Sequence, residues 1–168
     1  MSTLSKERVE TGSDSASAEA RSAYRQDIHA WARNQAELLK AGRLDEIDAI
    51  NIAEEILDVG EREYDKFESA LAIILLHMLK WDHQPERRSR SWQNSIKEHR
   101  RRVEKQLRKV PSLKTRNGEA VEEAYEAARS WCHIETHIPE VDFPFSCPYD
   151  WEEITARPFV YEDERAKK

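Results

Sequence analysis

The stretch LLHMLKWDHQPERRSRSW, Leu75 to Trp92, decides the fold. A helix that is apolar on every side runs there into a polar turn, broken by Pro85 and flanked by tryptophans and arginines. Just upstream, ALAIILLHML from Ala70 has no polar face, so it is expected to be the central and most buried piece of a helical core. Pro85 ends the helix because proline disfavours helical geometry in the residue before it. His77, Trp81 and Trp92 therefore fall at the rim of that core.

Working outward, hydrophobic spacing predicts four helices. α1 is expected over about Ala20 to Ala41, with Tyr24, Ile28, Trp31, Gln35 and Leu38 at heptad-like spacing and Gly42 as its C-terminal cap. α2 is expected from Glu46 to about Trp81, capped by Asp45. Its first half is amphipathic through Ile50, Ala53, Leu57, Gly60, Tyr64, Phe67 and Leu71. α3 spans about Arg90 to Val110 and is stopped by Pro111. Trp92, Ile96, His99, Val103, Leu107 and Val110 share one of its faces, and Arg90, Lys97, Arg101, Lys105 and Arg108 lie opposite. α4 follows a turn at Asn117-Gly118 and runs to about His137. The remaining PEVDFPFSCPYDWEEITARPFV, with its prolines and aromatics, is expected to wrap the helices as an ordered strap with one helical turn near Trp151. No segment alternates like a strand. Short loops between long amphipathic helices imply antiparallel neighbours, so the expected class is all-α: a bundle of about four helices with an irregular C-terminal strap.

Size and composition fit one domain over residues 20–160, between a disordered N-terminal tail (1–19) and a charged C-terminal tail (161–168). The net charge of -6 argues against a globally basic nucleic-acid binder, but the charge is uneven. From Lys80 to Lys109 eleven Lys and Arg face four acids; from Glu37 to Glu68 eleven acids face four bases. Two cysteines, Cys132 and Cys147, give no disulfide framework and fit a reducing compartment. The N-terminus has no secretory pattern, and the apolar run from Leu71 to Leu79 is too short to cross a bilayer. A soluble, cytoplasmic protein without membrane association is expected.

Several blocks carry a family resemblance: NIAEEI from Asn51, Gly60, HMLKW from His77, Gln84-Pro85, Trp92, Ile96, PSLK from Pro111 and Cys147-Pro148. They resemble a bacterial family called domain of unknown function twenty-nine, over roughly Tyr24 to Phe159. The resemblance implies an all-helical bacterial protein and supplies no activity. His99 departs from the pattern, which carries glutamine there, and this weakens a catalytic role for it.

Four constellations are candidates for function. Glu54, Asp58, Glu61, Asp65 and Glu68 form an acidic ridge beside the apolar face of α2. Inward carboxylates can hold metal in bundles, but such sites pair them with Glu-x-x-His, which is absent here, so the ridge is expected to pair with Arg100, Arg102 or Lys109. His77 is expected to be buried and hydrogen-bonded; as a ligand it would need Glu55, His83 or His99 beside it. His133 and His137 have a chelating i, i+4 spacing, but Ile134 stands where a catalytic HEXXH motif places glutamate. The cationic face of α3, Arg90, Lys97, Arg101, Lys105 and Arg108, suits an acidic partner. Finally, His77, Lys80, Trp81, Gln84, Arg88 and Trp92 gather at the α2–α3 turn, where tryptophan beside arginine suits a structural clamp or a small anion. No nucleophile–base pair, phosphate loop or CxxC motif appears, so no catalytic residue, metal ligand or cofactor is assigned.

The reading is a non-enzymatic interaction module whose basic α3 meets an acidic protein partner or the acidic surface of a second copy. One alternative is a metal- or anion-binding helical enzyme centred on His77 and the Trp81–Trp92 turn. Another is weak nucleic-acid binding through α3.

Overall fold

Proline, capping side chains and apolar periodicity set the helix boundaries in the computed structural model, which describes residues 23–162. Among these residues every regular element is helical: α1 (Ile28–Lys40), α2 (Ala49–His83), α3 (Arg90–Lys109), α4 (Asn117–Thr136), α5 (Trp151–Ala156) and three short 3-10 turns. The fold is an all-α bundle with a C-terminal strap. The expected tail 1–19, and all but the first two residues of the tail 161–168, lie outside the described residues. No helix among the described residues is long and apolar enough to cross a membrane. The chain divides into two compact units, one ending at Gly60 and one beginning at Glu61.

In the first unit α1 and the opening turns of α2 form an antiparallel hairpin. The expected first residues of α1, 20–22, lie outside the described residues, and within the described ones the helix is not continuous from Ala23. Asp27 interrupts the helical path, and its carboxylate accepts from Ala30 N–H (3.0 Å) to start the helix afresh. Gly42, at φ 70°, makes the left-handed exit that a side chain would strain. α2 begins at Ala49 rather than Glu46. Glu46 is bound by the Arg43 guanidinium within the connecting turn, and the buried Asp48, not Asp45, takes the capping role by accepting from Asn51 N and Nδ2. Asp48 N–H in turn donates to the buried Gln35 Oε1 (2.7 Å), and Tyr24 OH donates to Glu55 (2.8 Å). These bonds, together with the buried Trp31 and Leu38, hold the hairpin together. The apolar row expected to be core is open here: Ile50 is 61% and Leu57 70% exposed.

In the second unit α2, α3 and α4 run up, down and up. Gln106 Nε2 reaches Glu63 O (2.9 Å) at one end of α2 and Lys80 covers the Trp92 ring at the other, so α3 is antiparallel to α2. Tyr64 OH donates to Glu123 (2.6 Å) and Lys80 pairs with Glu135, so α4 runs parallel to α2. The expected core helix is fully buried at Phe67, Leu71, Ile74, Leu75, Met78 and Leu79. Ala120, Ala124, Ala128 and Cys132, spaced by four, give α4 a smooth buried face of small side chains. Ser89 caps α3 by accepting from Trp92 N–H (3.3 Å). Asn117-Gly118 is not the turn: a six-residue 3-10 segment from Pro111 reverses the chain, and both residues already belong to α4. Arg116 secures that reversal by binding Glu119 (2.8 and 2.9 Å) while its guanidinium lies 3.7 Å from the centre of the Tyr64 ring.

The strap crosses the bundle on three fastenings. Tyr125 OH donates to Pro144 O (2.8 Å). Asp82 accepts two bonds from Arg157 (2.6 and 2.8 Å) and one from Tyr149 OH (2.9 Å). Arg100 donates to the carbonyls of Glu153, Ile154 and Arg157 (2.7–2.8 Å). Ile154 O is one of the carbonyls that the short α5 leaves without a helical partner, whereas Glu153 O also accepts from Arg157 N–H (3.2 Å).

Candidate functional site

The cationic face of α3 forms as its periodicity requires. Ile96 and Val103 turn into the core, and Arg90, Lys97, Arg101, Lys105 and Arg108 are all exposed. Neighbouring acids neutralise part of this row. Glu98 binds Arg101 and Arg102, whose guanidinium groups hold its carboxyl below the usual range, and Glu104 binds Arg108 (2.7 Å). Lys97 and Lys105 make no ion pair among the described residues.

Beside this row, α3 and the strap enclose an open groove of about 520 Å³. Ile96, Val103, Leu107, Trp151 and Phe159 form its apolar floor, and Gln93, Lys97, Arg101 and Glu104 its rim. Gln93 Nε2 donates to Phe159 O (2.8 Å), and Arg100, fully engaged with α5, fixes the far wall. A second groove, of about 750 Å³, lies between α2 and α3 and is lined by Lys66, His99, Arg102, Lys105 and Lys109. Its cations are partly spent: Glu63 accepts from Lys66, Lys109 and Gln106, and these bonds hold its carboxyl far below the usual range.

The six turn residues are brought together, but as a packed clamp. Lys80, Trp81 and Gln84 are buried. Lys80 lies over the Trp92 ring (4.7 Å), and Arg88 lies over Trp81 (5.2 Å) while donating to Trp81 O (2.9 Å). Trp81 meets Phe159 edge-on at 5.4 Å. His77 sits 6.4 Å from the Trp92 ring. Burial, aided by the Lys80 charge, pushes the His77 imidazole down to about 4. Its Nδ1 is buried and makes no hydrogen bond to the protein, contrary to the expectation of a fully bonded ring.

Residues 23–160 match the family described as Domain of unknown function DUF29. The chain belongs to this family. The matched span includes both grooves and the α2–α3 turn, so each is part of the family domain and none is an appendage to it. No curated protein and no solved structure matches the chain.

The other candidates are scattered. The acidic ridge does not meet its expected partners. Arg100 is taken by the strap and Arg102 by Glu98, while Lys109 reaches Glu63, which is off the ridge; Glu61 instead lies 3.5 Å from Arg116. His133 Nδ1 bonds Ile138 O (2.7 Å), and His137 adopts the left-handed cap of α4. Among the described residues no three His, Cys, Asp or Glu side chains gather as a metal site. Sequence reading missed the α3–strap groove, because its Trp151 and Phe159 lie far along the chain from α3. The one signal for them was aromatic residues concentrated in a proline-rich segment.

Proposed function

We propose that this DUF29 protein is a docking module that receives an acidic amphipathic helix of a protein partner in the groove between α3 and the strap. One observation carries the reading: a single helix presents both an apolar-floored groove and a row of exposed, incompletely neutralised cations beside it. An amphipathic helix seats its apolar side chains in such a groove, and flanking carboxylates opposite Lys97 and Arg101 set orientation and speed encounter. The protein's overall charge of -6 disfavours nucleic acid as the partner, since phosphates would be repelled outside this one face. The constellation contains no nucleophile or base poised for chemistry, and the role is one of binding. The two cysteines, both free thiols, fit a reducing compartment such as the bacterial cytoplasm.

The test is fluorescence anisotropy with a synthetic helix-forming peptide that carries leucines at i, i+3, i+4 and i+7 and glutamates along one flank. The peptide is expected to bind, to bind less tightly as salt rises, and to lose about tenfold or more in affinity to Lys97→Glu/Arg101→Glu, equivalent to about 1.4 kcal/mol. Absence of binding, or binding indifferent to that reversal, overturns the proposal.

A further inference from the structure

The least expected surface of the molecule is the first part of α2. Ile50, Ile56 and Leu57 are 61, 66 and 70% exposed. At 3.6 residues per turn they share, with Ala53 and Gly60, one apolar face about 120° wide. Asp48, Asn51 and Glu55, which meet α1 or cap the helix beside it, lie on the opposite side. α1 therefore leaves this face uncovered. The segments of this chain outside the described residues are rich in Ser, Thr and charge, with Met1, Leu4 and Val9 their only large apolar side chains, and they supply no matching face. At one edge of the face stands Glu54, about 40° round from Ile50, and Asp58 lies about 80° round, toward Asn51; neither makes an ion pair among the described residues.

The groove beside α3 has the complementary character. Its floor is apolar, and its rim carries Lys97, which makes no ion pair among the described residues, and Arg101, which is shared with Glu98; the one acid on the rim, Glu104, is held by Arg108. The lengths agree as well. Residues 49–60 of α2 extend about 17 Å and the groove-lining part of α3, residues 93–107, about 21 Å, at 1.5 Å per residue.

We propose that the acidic amphipathic helix received by the groove is the exposed α2 face of a second copy of this chain. Ile50 and Leu57 would enter the groove, with Glu54 opposite Lys97 and Asp58, farther round the helix, on the outer side toward Arg101. The inference rests on the docking reading and names its partner.

Sedimentation velocity on the full chain, at rising concentration and at low and high salt, tests it. Wild type is expected to self-associate and to dissociate as salt rises. Lys97→Glu/Arg101→Glu and Glu54→Lys/Asp58→Lys, each alone, are expected to be monomeric. Mixing the two variants is expected to restore association, because each reversed ridge then meets a reversed rim. All four substituted side chains are exposed, so the variants keep the fold, checked by circular dichroism. Leu57→Glu is a further expected monomer. A wild type that stays monomeric throughout, or one whose association survives the rim reversal, overturns the inference. If monomeric wild type still binds the synthetic acidic peptide, only the identity of the partner is lost. If it binds no peptide either, the docking reading falls with it.

Discussion

His77 makes the native state sensitive to pH in a window that its environment defines. The ring is half-buried between the core and Trp92, Nδ1 lacks a partner, and burial with the nearby Lys80 charge lowers its pKa from the ordinary 6.5 to about 4. The folded protein holds this group neutral, whereas the unfolded chain protonates it below about pH 6.5. Between those two values the unfolded state binds more protons, so stability is complete above pH 6.5 and falls as pH drops toward 4. Over the two units from pH 6.5 to 4.5 the full effect is about 2.7 kcal/mol at 1.36 kcal/mol per unit, and solvent at the ring reduces it to about 1–2 kcal/mol. The assay is urea unfolding of wild type and His77→Leu at pH 7.5 and pH 4.5. Carboxylates held low by cationic partners, such as Asp82 and Glu98, lose their contribution mainly below this window and are common to both proteins. Wild type is expected to lose about 1–2 kcal/mol more than the variant on acidification. At pH 7.5 the variant is expected to be at least as stable, because leucine removes a buried nitrogen that bonds nothing. Parallel pH dependences in the two proteins would refute the reasoning.

Three further outcomes follow from the packing. Phe67→Ala empties a site with no solvent exposure against Trp151 and is expected to cost about 3–5 kcal/mol in chemical denaturation. Arg100→Met removes three charge-assisted bonds to the end of α5; a local loss of about 2–4 kcal/mol should appear as faster amide exchange over residues 153–159 while the amides of α2 stay protected. Burial pushes the Cys132 thiol up to about 11, so with Ellman's reagent at neutral pH it is expected to react only as the protein unfolds, and an immediate stoichiometric reaction would contradict its placement in the core.

What could be read from the sequence was what periodicity and proline control. The ALAIILLHML run marked the buried half of α2, Pro85 and Pro111 marked the helix ends beside α3, and the wheel of α3 separated Ile96 and Val103 from the cationic row. What could not be read depends on residues distant in sequence. Asp48 rather than Asp45 caps α2 because its backbone N–H meets Gln35 on another helix. Gly118 looked like a turn residue, but the reversal is made by the Pro111–Arg116 segment, which Arg116 anchors on Tyr64. The row Ile50, Ala53, Leu57 has the same spacing as Tyr64, Phe67, Leu71, and spacing alone does not say which half finds a cover. The groove needs Trp151 and Phe159 carried onto α3 by the strap, through Arg100 and Gln93. Local pattern fixes a helix and its faces; what each face meets is set by tertiary contacts.

The most direct measurement of the docking claim is amide chemical-shift mapping of the full chain titrated with the acidic amphipathic peptide. Shifts concentrated at Gln93, Lys97, Arg101, Glu104, Trp151 and Thr155 are the predicted result. Shifts centred instead on the α2–α3 groove at Lys66, His99 and Lys109, or none at saturating peptide, would contradict it.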